Sequence, residues 1–143
     1  MNDATFEEPL VPVLLQILSG AKKASDLVPA GSIYKLGRNK SVELTIPSGV
    51  LGGPVSVQST TEVANVRAGI AHPRAFNQHP IHLHEHAFHV VRSAGNSTYN
   101  FDNPAVRDVV SIGESGDNVT IRFYTDNPGP WFLHCHIDWH FLL

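Results

Sequence analysis

The sequence has little of several features that would point to other kinds of protein. It has one cysteine in 143 residues, so no intramolecular disulfide can form, and the thiol must be buried, reactive or metal-bound. No stretch approaches the roughly 18 consecutive apolar residues of a membrane-spanning helix. Basic residues (10) are outnumbered by acidic ones (13), which argues against nucleic acid as a partner and predicts a mildly acidic surface. The N-terminal stretch MNDATFEEPL lacks the basic and apolar regions of a signal peptide, so the sequence as written predicts no export signal.

Alternating hydrophobic and polar residues predict one domain built mainly from strands. Ser41–Pro47 places Val42, Leu44 and Ile46 at every second position, which is typical of a strand buried on one side, and residues 119–124 repeat the pattern. The other predicted strands are residues 11–18, 32–36, 87–93, 107–112 and 130–137. Only residues 20–28 (GAKKASDLV) have helical character. Short strands separated by turn-forming residues predict an all-β sandwich or barrel of Greek-key type.

One segment does not fit this strand pattern. Residues 55–78 have no sustained period and no strand bounded by glycine or proline. We therefore predict an irregular insert, which is uncommon in a compact domain.

Histidine is the conspicuous residue type, since eight of nine histidines fall into two short windows. The first window holds His79, His82, His84, His86 and His89, and the second holds His134, His136 and His140 around the only cysteine, Cys135. Such clustering is typical of a metal site.

The alternation of side chains along a strand divides these residues between two sites. His134 and His136 are predicted to point to one side of their strand and Cys135 to the other, while His82 and His84 share one side of theirs. Two His-x-His pairs on neighbouring strands could therefore converge on one metal cluster, with Cys135 facing a second site. A thiolate with two imidazoles is the ligand set of a blue-copper centre. The candidates for those two imidazoles are His79 and His140.

Other interpretations of the same residues remain open. Cysteine and histidine together often bind zinc, although structural zinc prefers two or more cysteines. A catalytic cysteine with a histidine base is a further possibility, but it leaves the other histidines unexplained. His72, His86 and His89 are most simply core or surface residues, and the aromatic residues Trp131, Phe132 and Trp139 most simply belong to the core.

At the level of whole motifs, the chain resembles a known family. HPIHLHEHAF and GPWFLHCHIDWH are similar to the two C-terminal copper motifs of the multicopper oxidases, and VPVLLQILSGA, NPAVRDVV and GDNVTIRFYTDNPGP are similar to fungal laccases. The resemblance covers the chain apart from residues 55–78 and the last three residues. It implies a single cupredoxin (plastocyanin-like) domain over residues 1–143, the third of three in a laccase, with an irregular insert at 55–78 and a truncated C-terminus.

The resemblance also implies a role for each ligand. The type 1 copper would be bound by His79, Cys135 and His140, the type 2 copper by His82, and the type 3 pair by His84, His134 and His136. The catalytic residues would be Cys135 and His140, with His140 as the point where a substrate electron enters. The implied reaction is one-electron oxidation of phenols or aromatic amines coupled to reduction of dioxygen to water.

Secretion and glycosylation follow from the same resemblance. Fungal laccases are exported glycoproteins, so an extracellular location is expected even though this chain shows no signal peptide. Asn118 matches a glycosylation acceptor of the family, and Asn39 and Asn96 begin two further Asn-x-Ser/Thr sequences.

Several departures from the family pattern bear on activity. The family's trinuclear cluster takes half of its histidines from the first domain, so the first and second laccase domains or another chain would have to complete it. The position axial to the type 1 copper would fall beyond Leu143, and Glu85 replaces a glycine. Laccases commonly join the residues matching Pro54 and His79 directly, so residues 55–78 are either a translated in-frame intron or a real loop.

The alternatives to an oxidase are a non-catalytic copper-binding or electron-transfer domain and an inactive truncated remnant. Neither nucleic acid nor membrane is expected as a partner.

Overall fold

The computed structural model describes residues 9–20, 33–48, 54–59, 63–67 and 78–137, with the backbone alone for 54–59 and 63–67. In chain order its elements are α1 (Val13–Leu18), β1 (Ser41–Pro47), β2 (Pro54–Ser59), β3 (Val63–Arg67), β4 (Pro80–Leu83), β5 (Phe88–Arg92), β6 (Ala105–Arg107), β7 (Val109–Ser111), β8 (Asn118–Tyr124) and β9 (Leu133–Cys135). The strands form a six-stranded sheet in the order β3-β2-β1-β8-β5-β6 and a three-stranded sheet in the order β7-β4-β9. All strand pairs are antiparallel, and the predicted all-β fold is confirmed.

The hydrophobic core takes residues from both sheets. In β1 the buried residues Val42, Leu44 and Ile46 alternate with half-buried ones, as the sequence pattern predicts. β8 pairs with β1 along its whole length and buries Val119 and Ile121 completely. The smaller sheet contributes buried side chains from β4 and from the residue that follows β7, and these join one continuous cluster with the residues of β1, β5 and β8.

The small sheet positions the histidine windows. Ile81 and Leu83 of β4 are buried in the core, so His82 between them points to the outer side of the sheet. β9 pairs with β4 so that Ile81 lies opposite Cys135 and His82 lies opposite His134. Because paired residues share one side of a sheet, Cys135 faces the core and His134 faces outward with His82.

The N-terminal prediction of a strand over residues 11–18 is wrong, because Val13–Leu18 form a helix. Leucine and glutamine favour helices, and the β-branched residues typical of strands, Val11, Val13 and Ile17, make up fewer than half of the run. The backbone N–H of Gln16 donates to the Pro12 carbonyl at 3.2 Å, and the segment ends at Gly20 with a φ of 70°. None of the helical residues is buried.

Other predicted elements differ from the structure in smaller ways. Residues 33–36 form no strand, and Ser32 lies outside the described residues. The predicted helix over 20–28 lies outside them too, except for Gly20. β5 and β8 confirm the strands predicted over 87–93 and 119–124, and β7 and β9 occupy only the central parts of 107–112 and 130–137.

The prediction that residues 55–78 contain no strand is wrong for two parts of the segment. β2 pairs with β1, and β3 pairs with β2, so both strands extend the edge of the large sheet. Val55 and Val57 alternate with polar residues, but the run is too short to stand out without the neighbouring edge of β1. Residues 60–62 and 68–77 lie outside the described residues.

Candidate metal centre

Four imidazole rings meet on the outer side of the small sheet. His82 and His134 are direct cross-strand partners, while His84 and His136 follow the last residues of β4 and β9. The centroid separations are 4.8 Å for His82–His84, 5.1 Å for His84–His134, 5.4 Å for His134–His136, 5.6 Å for His82–His136 and 5.7 Å for His82–His134. The structure therefore brings together the two His-x-His pairs that strand alternation predicts.

Within this imidazole cluster, His84 Nε2 donates a hydrogen bond to His134 Nε2 at 2.9 Å. Bonds from a first-row metal ion to imidazole nitrogen are about 2.05 Å long, so nitrogens at this separation fit one ion with an angle of about 90° between the two bonds. The pair therefore has the spacing of two ligands of the same ion.

Backbone carbonyls hold two of the rings in a ligand-ready tautomer. His82 Nδ1 donates to the Asp108 carbonyl at 2.7 Å, and His134 Nδ1 donates to the Cys135 carbonyl at 3.0 Å. A carbonyl can only accept, so each Nδ1 carries the proton and, in the neutral ring, Nε2 keeps its lone pair. Metal-binding histidines are typically oriented by this kind of contact. The Asp108 carbonyl also accepts the Leu83 N–H at 3.1 Å, which ties the His82 contact to the pairing of β4 with β7.

Burial and the neighbouring rings favour the neutral form of His134, the most buried ring of the cluster. Burial lowers the pKa of His134, and the neighbouring rings of His84, His136 and His82 lower it further, while the hydrogen bond to the Cys135 carbonyl opposes the shift. His134 is only 8% exposed. A neutral imidazole is the form that binds a metal ion.

Phe132 belongs to the cluster, although we predicted it to be a core residue. Its ring stacks on His134 with a centroid separation of 4.8 Å and an interplanar angle of 23°, and it lies 6.1 Å from the His84 ring. The signal was present in the sequence, because Phe132 has the same strand parity as His134 and His136. Trp131 is not in the buried core either, since it is 38% exposed and donates through Nε1 to the Asn127 carbonyl at 2.8 Å.

The core side of the same two strands carries a separate pair. Cys135 Sγ lies 3.6 Å from His79 Nδ1, and Cys135 packs against the hydrophobic core. With metal bonds of about 2.3 Å to sulfur and about 2.05 Å to nitrogen, this separation corresponds to an angle of about 110° at a shared ion. Burial raises the pKa of the Cys135 thiol. A cation bound at this point would lower it again, because the positive charge stabilises the thiolate. The predicted third member, His140, lies outside the described residues, as does Trp139.

The remaining histidines have other surroundings. His86 donates through Nδ1 to the His84 carbonyl at 3.1 Å and lies between the rings of Phe123 and Trp131, at 5.5 and 6.3 Å. His89 is exposed on β5, and His72 lies outside the described residues. These positions agree with ordinary structural roles for His86 and His89.

Glu85 separates His84 from His86 with an unusual backbone. Its φ of 57° lies in the left-handed region, where glycine has no steric penalty. Its side chain is exposed, and its carbonyl accepts a hydrogen bond from Asn127 Nδ2 at 3.3 Å. The residue is therefore accommodated by the turn at some cost in backbone energy.

Within the described ranges, no group of three or more histidine, cysteine, aspartate or glutamate side chains is placed to hold a metal ion by itself. The imidazole cluster and the Cys135–His79 pair therefore have the ligand types and spacings of partial sites. Further ligands are needed to complete each one.

The fold is an antiparallel β-sandwich in which two strands carry a thiol–imidazole pair on one side and an imidazole cluster on the other. This arrangement is that of the cupredoxin class of copper-binding domains. The chain belongs to the multicopper oxidase family, whose model matches residues 6–142. Copper is the cofactor of this family.

The curated relatives include several fungal laccases. The chain is 56% identical to a laccase of Phlebia radiata over 140 residues, which are 98% of this chain and 22% of the relative. It is 55% identical to laccase-1 of Pleurotus ostreatus, with 98% of this chain and 22% of the relative covered. For laccase-2 of Trametes versicolor the identity is 54%, and the coverage is 98% of this chain and 23% of the relative. The chain thus spans under a quarter of the length of these relatives.

Among the described residues, no helix is both long enough and apolar enough to cross a bilayer.

Proposed function

We propose that this chain acts as one copper-binding domain of a laccase-type oxidase, whose activity requires ligands from a further domain or chain. The observation that carries the proposal is the division of donor groups across one pair of strands. The Cys135–His79 contact lies on the core side of β4 and β9, and four imidazoles lie on the outer side.

The ligand assignments follow this division. His79 and Cys135, together with His140, are proposed to hold the type 1 copper. His84 and His134 are proposed to share one type 3 ion, because their Nε2 atoms lie 2.9 Å apart. His136 is proposed to serve the other type 3 ion, and His82 the type 2 ion, with its Nδ1 proton held by the Asp108 carbonyl.

When bound, copper supplies one-electron oxidation of phenols or aromatic amines and the reduction of dioxygen to water. Backbone carbonyls orient the rings of His82 and His134 and leave the Nε2 lone pair of each ring directed away from the backbone. The backbone from Cys135 to its neighbours His134 and His136 connects the two sides of the sheet covalently. Phe132 covers one face of the His134 ring and thereby limits access of water to it.

The outer side of the small sheet is the proposed contact with the missing ligands. His84 and His136 are exposed and His82 is half-buried, so the cluster is open to a partner surface. The proposed partners are the first and second domains of a laccase or another chain that brings histidines of its own. By family resemblance we propose that the complete protein is extracellular and that its substrates are phenolic small molecules.

A second candidate function is a copper-binding or electron-transfer domain with a single type 1 ion. The contact between Cys135 and His79 favours it, because this pair forms without any contribution from another chain. Such a domain would accept and donate single electrons without reducing dioxygen.

Copper loading separates the candidates. The purified full chain is titrated with Cu(II), and intense blue absorption is expected from the thiolate–copper bond. It should vanish in Cys135→Ser but persist in His89→Asn, a matched change at an exposed histidine on β5. Phenol turnover is expected only after addition of separately produced first and second laccase domains. Blue protein without turnover in that mixture supports the electron-transfer function, and a chain that binds no copper contradicts both and favours an inactive remnant.

We also propose that residues 55–78 are a translated intron that the domain does not need. β1 keeps β8 as a partner along all of its residues when β2 and β3 are removed. A deletion variant joining Pro54 to His79 should bind copper as the full chain does. Sequencing of the mature transcript is decisive, because a transcript that retains these codons contradicts the intron.

A further inference from the structure

The His84 ring is carried by a turn that lies just beyond the pairing of β4 with β9. The ladder ends at Leu83, the last residue of β4, and the His84 N–H adds one more backbone bond, to the Phe132 carbonyl at 3.0 Å. The chain then turns toward β5 through Glu85, whose φ is left-handed. The His134 ring, in contrast, belongs to a paired residue of β9. The spacing of the two rings therefore depends on how the turn is held.

Asn127 connects this turn to the segment that leads into β9. Its side-chain Nδ2 donates to the Glu85 carbonyl at 3.3 Å. Its own carbonyl accepts a hydrogen bond from Trp131 Nε1 at 2.8 Å. Glu85 directly follows His84 in the chain, and Trp131 lies three residues before His134. One asparagine thus contacts both histidine windows close to the two rings.

The start of the loop that carries Asn127 is tied to the large sheet. Thr125, two residues earlier, donates its N–H to the Lys40 carbonyl at 2.9 Å, and its hydroxyl accepts the Lys40 N–H at 2.8 Å. Lys40 directly precedes β1. Pro128 and Pro130 then restrict the backbone of the loop, since the proline ring fixes φ. The Asn127 side chain therefore approaches the turn from a support that does not belong to the small sheet.

Gly129 allows the Trp131 ring to fold back over this loop. A Cβ atom at Gly129 would lie 2.7 Å from Cζ2 and 2.9 Å from Cε2 of Trp131, which is closer than carbon atoms pack. The same ring lies 6.3 Å from the His86 ring, and His86 Nδ1 donates to the His84 carbonyl at 3.1 Å. The indole is thus held against both Asn127 and the far end of the turn.

We infer that Asn127 is a positioning residue that sets the distance between the His84 and His134 rings. It acts through the carbonyl of Glu85, and in this arrangement His84 Nε2 lies 2.9 Å from His134 Nε2. The consequence for copper rests on the proposed function, because it requires this pair to share one ion. The positioning of the metal-free rings does not depend on that function, so the two are tested separately.

The first test uses the metal-free full chain with isotope-labelled histidine. A hydrogen bond between two imidazole nitrogens produces a scalar coupling between them in NMR spectra, and we expect this coupling between His84 and His134. Asn127→Asp keeps the shape of the side chain but replaces its donating NH₂ by an acceptor, so the coupling should be lost. Asn103→Asp, the same change at an exposed position between β5 and β6, should retain it. A coupling that persists in Asn127→Asp overturns the inference.

Further variants separate the hydrogen bond from the added charge. Asn127→Ala removes the amide without adding a carboxylate, and it should lose the coupling as well. Gly129→Ala displaces the Trp131 ring from the other end of the bridge and should weaken the coupling. Thermal unfolding of each variant checks that the fold is retained. A coupling that is lost in Asn127→Asp but kept in Asn127→Ala assigns the effect to the carboxylate and overturns the inference.

The second test adds Cu(II) to the same proteins. Blue absorption reports the Cys135 side, and the electron paramagnetic resonance signal that His84→Ala changes reports the outer side. Binding on the outer side should weaken about tenfold in Asn127→Asp, as expected when a metal-binding histidine loses its orienting partner. The added negative charge by itself favours a cation, so it does not account for weaker binding. Blue absorption should be unchanged, and its loss would overturn the inference by showing that Asn127 supports the whole fold. Lost coupling with unchanged copper binding supports the positioning role and contradicts the proposed sharing of one ion.

Discussion

Both sides of the three-stranded sheet carry metal-ligand residue types, but the two sides differ in their donor atoms and in how closely the rest of the chain packs against them. On the core side, Cys135 lies within 3.6 Å of His79 and packs against buried aliphatic residues. On the outer side, four imidazoles cluster around a more open surface. Buried hydrophobic residues of this chain pack against the core side. No sheet among the described residues faces the outer side.

This difference shows how one antiparallel strand pair can build two unlike sites. The register that places Ile81 opposite Cys135 also places His82 opposite His134. A shift by one residue would exchange the two sides, moving the thiol outward and an imidazole into the core. The hydrophobic residues Ile81 and Leu83 therefore specify the register on which both sites depend.

The largest expected effect comes from breaking the core side. Ile81→Ala removes a side chain that is 1% exposed, and we expect a loss of about 2–5 kcal/mol in the free energy of unfolding. The matched change His82→Ala, on the neighbouring outward position, should cost about 1 kcal/mol, since mainly one hydrogen bond is lost. Chemical denaturation of the metal-free chain measures both. Similar losses for the two variants would contradict the division of the sheet into a packed side and an open side.

A smaller effect should follow from changing the outer side alone. Phe132→Leu removes the ring stacked on His134, and we expect a loss of about 1 kcal/mol together with weaker copper binding by the imidazole cluster. Blue absorption from the Cys135 side should be unchanged in the same sample. Parallel loss of both signals would mean that Phe132 supports the fold as a whole and not one side of the sheet.

Replacing Glu85, at the edge of the imidazole cluster, should increase the free energy of unfolding, whereas the preceding changes decrease it. Glu85→Gly relieves a left-handed backbone at φ 57°, and we expect a gain of about 0.5–1 kcal/mol. Glu85→Ala is the control, because alanine keeps the steric penalty of a Cβ atom. Thermal unfolding compares the three proteins, and an equal gain for alanine and glycine would assign the effect to the removed charge instead.

The smallest effect is a pH dependence located away from both sides of the small sheet. Hydrogen bonds from the backbone N–H groups of Asn118 and Gly95, assisted by Arg92, lower the pKa of Asp117 from its ordinary value of 3.8. A group whose pKa is lowered by folding stabilises the fold above its unfolded pKa, and this contribution is lost as the pH falls through the folded pKa. Unfolding measured between pH 5 and pH 2 should therefore show an acid-induced loss that is smaller in Asp117→Asn. Identical pH profiles would rule out a stabilising role for this carboxylate.

Strand alternation alone was sufficient to predict how the histidine and cysteine side chains of the candidate metal centre divide between the two sides of the sheet. The side chains of His134 and Cys135 point to opposite sides because they are neighbours in one strand, and no knowledge of the rest of the fold is needed for this. The same reasoning extends to Phe132, which we nevertheless assigned to the core because large apolar residues are usually buried. Phe132 instead lies on the outer side of the small sheet, where its ring stacks on that of His134.

The elements that were predicted wrongly depend on contacts that the local pattern does not contain. The run at Val13–Leu18 is apolar enough for a strand, but no described strand pairs with it, and the helical preference of its leucines prevails. β2 and β3 have weak patterns of their own and exist because β1 offers an unpaired edge.

The sequence by itself determined which side chains have atoms that could bind a metal ion and to which side of a strand each one points, since both follow from residue type and from the two-residue repeat of extended backbone. Only the tertiary structure decided that β4 and β9 are neighbours in this register, that His79 reaches Cys135, and that the carbonyl of Asp108 orients the ring of His82. Pairing between strands about fifty residues apart in sequence is selected by burial of the shared core, and that burial is a property of the whole fold.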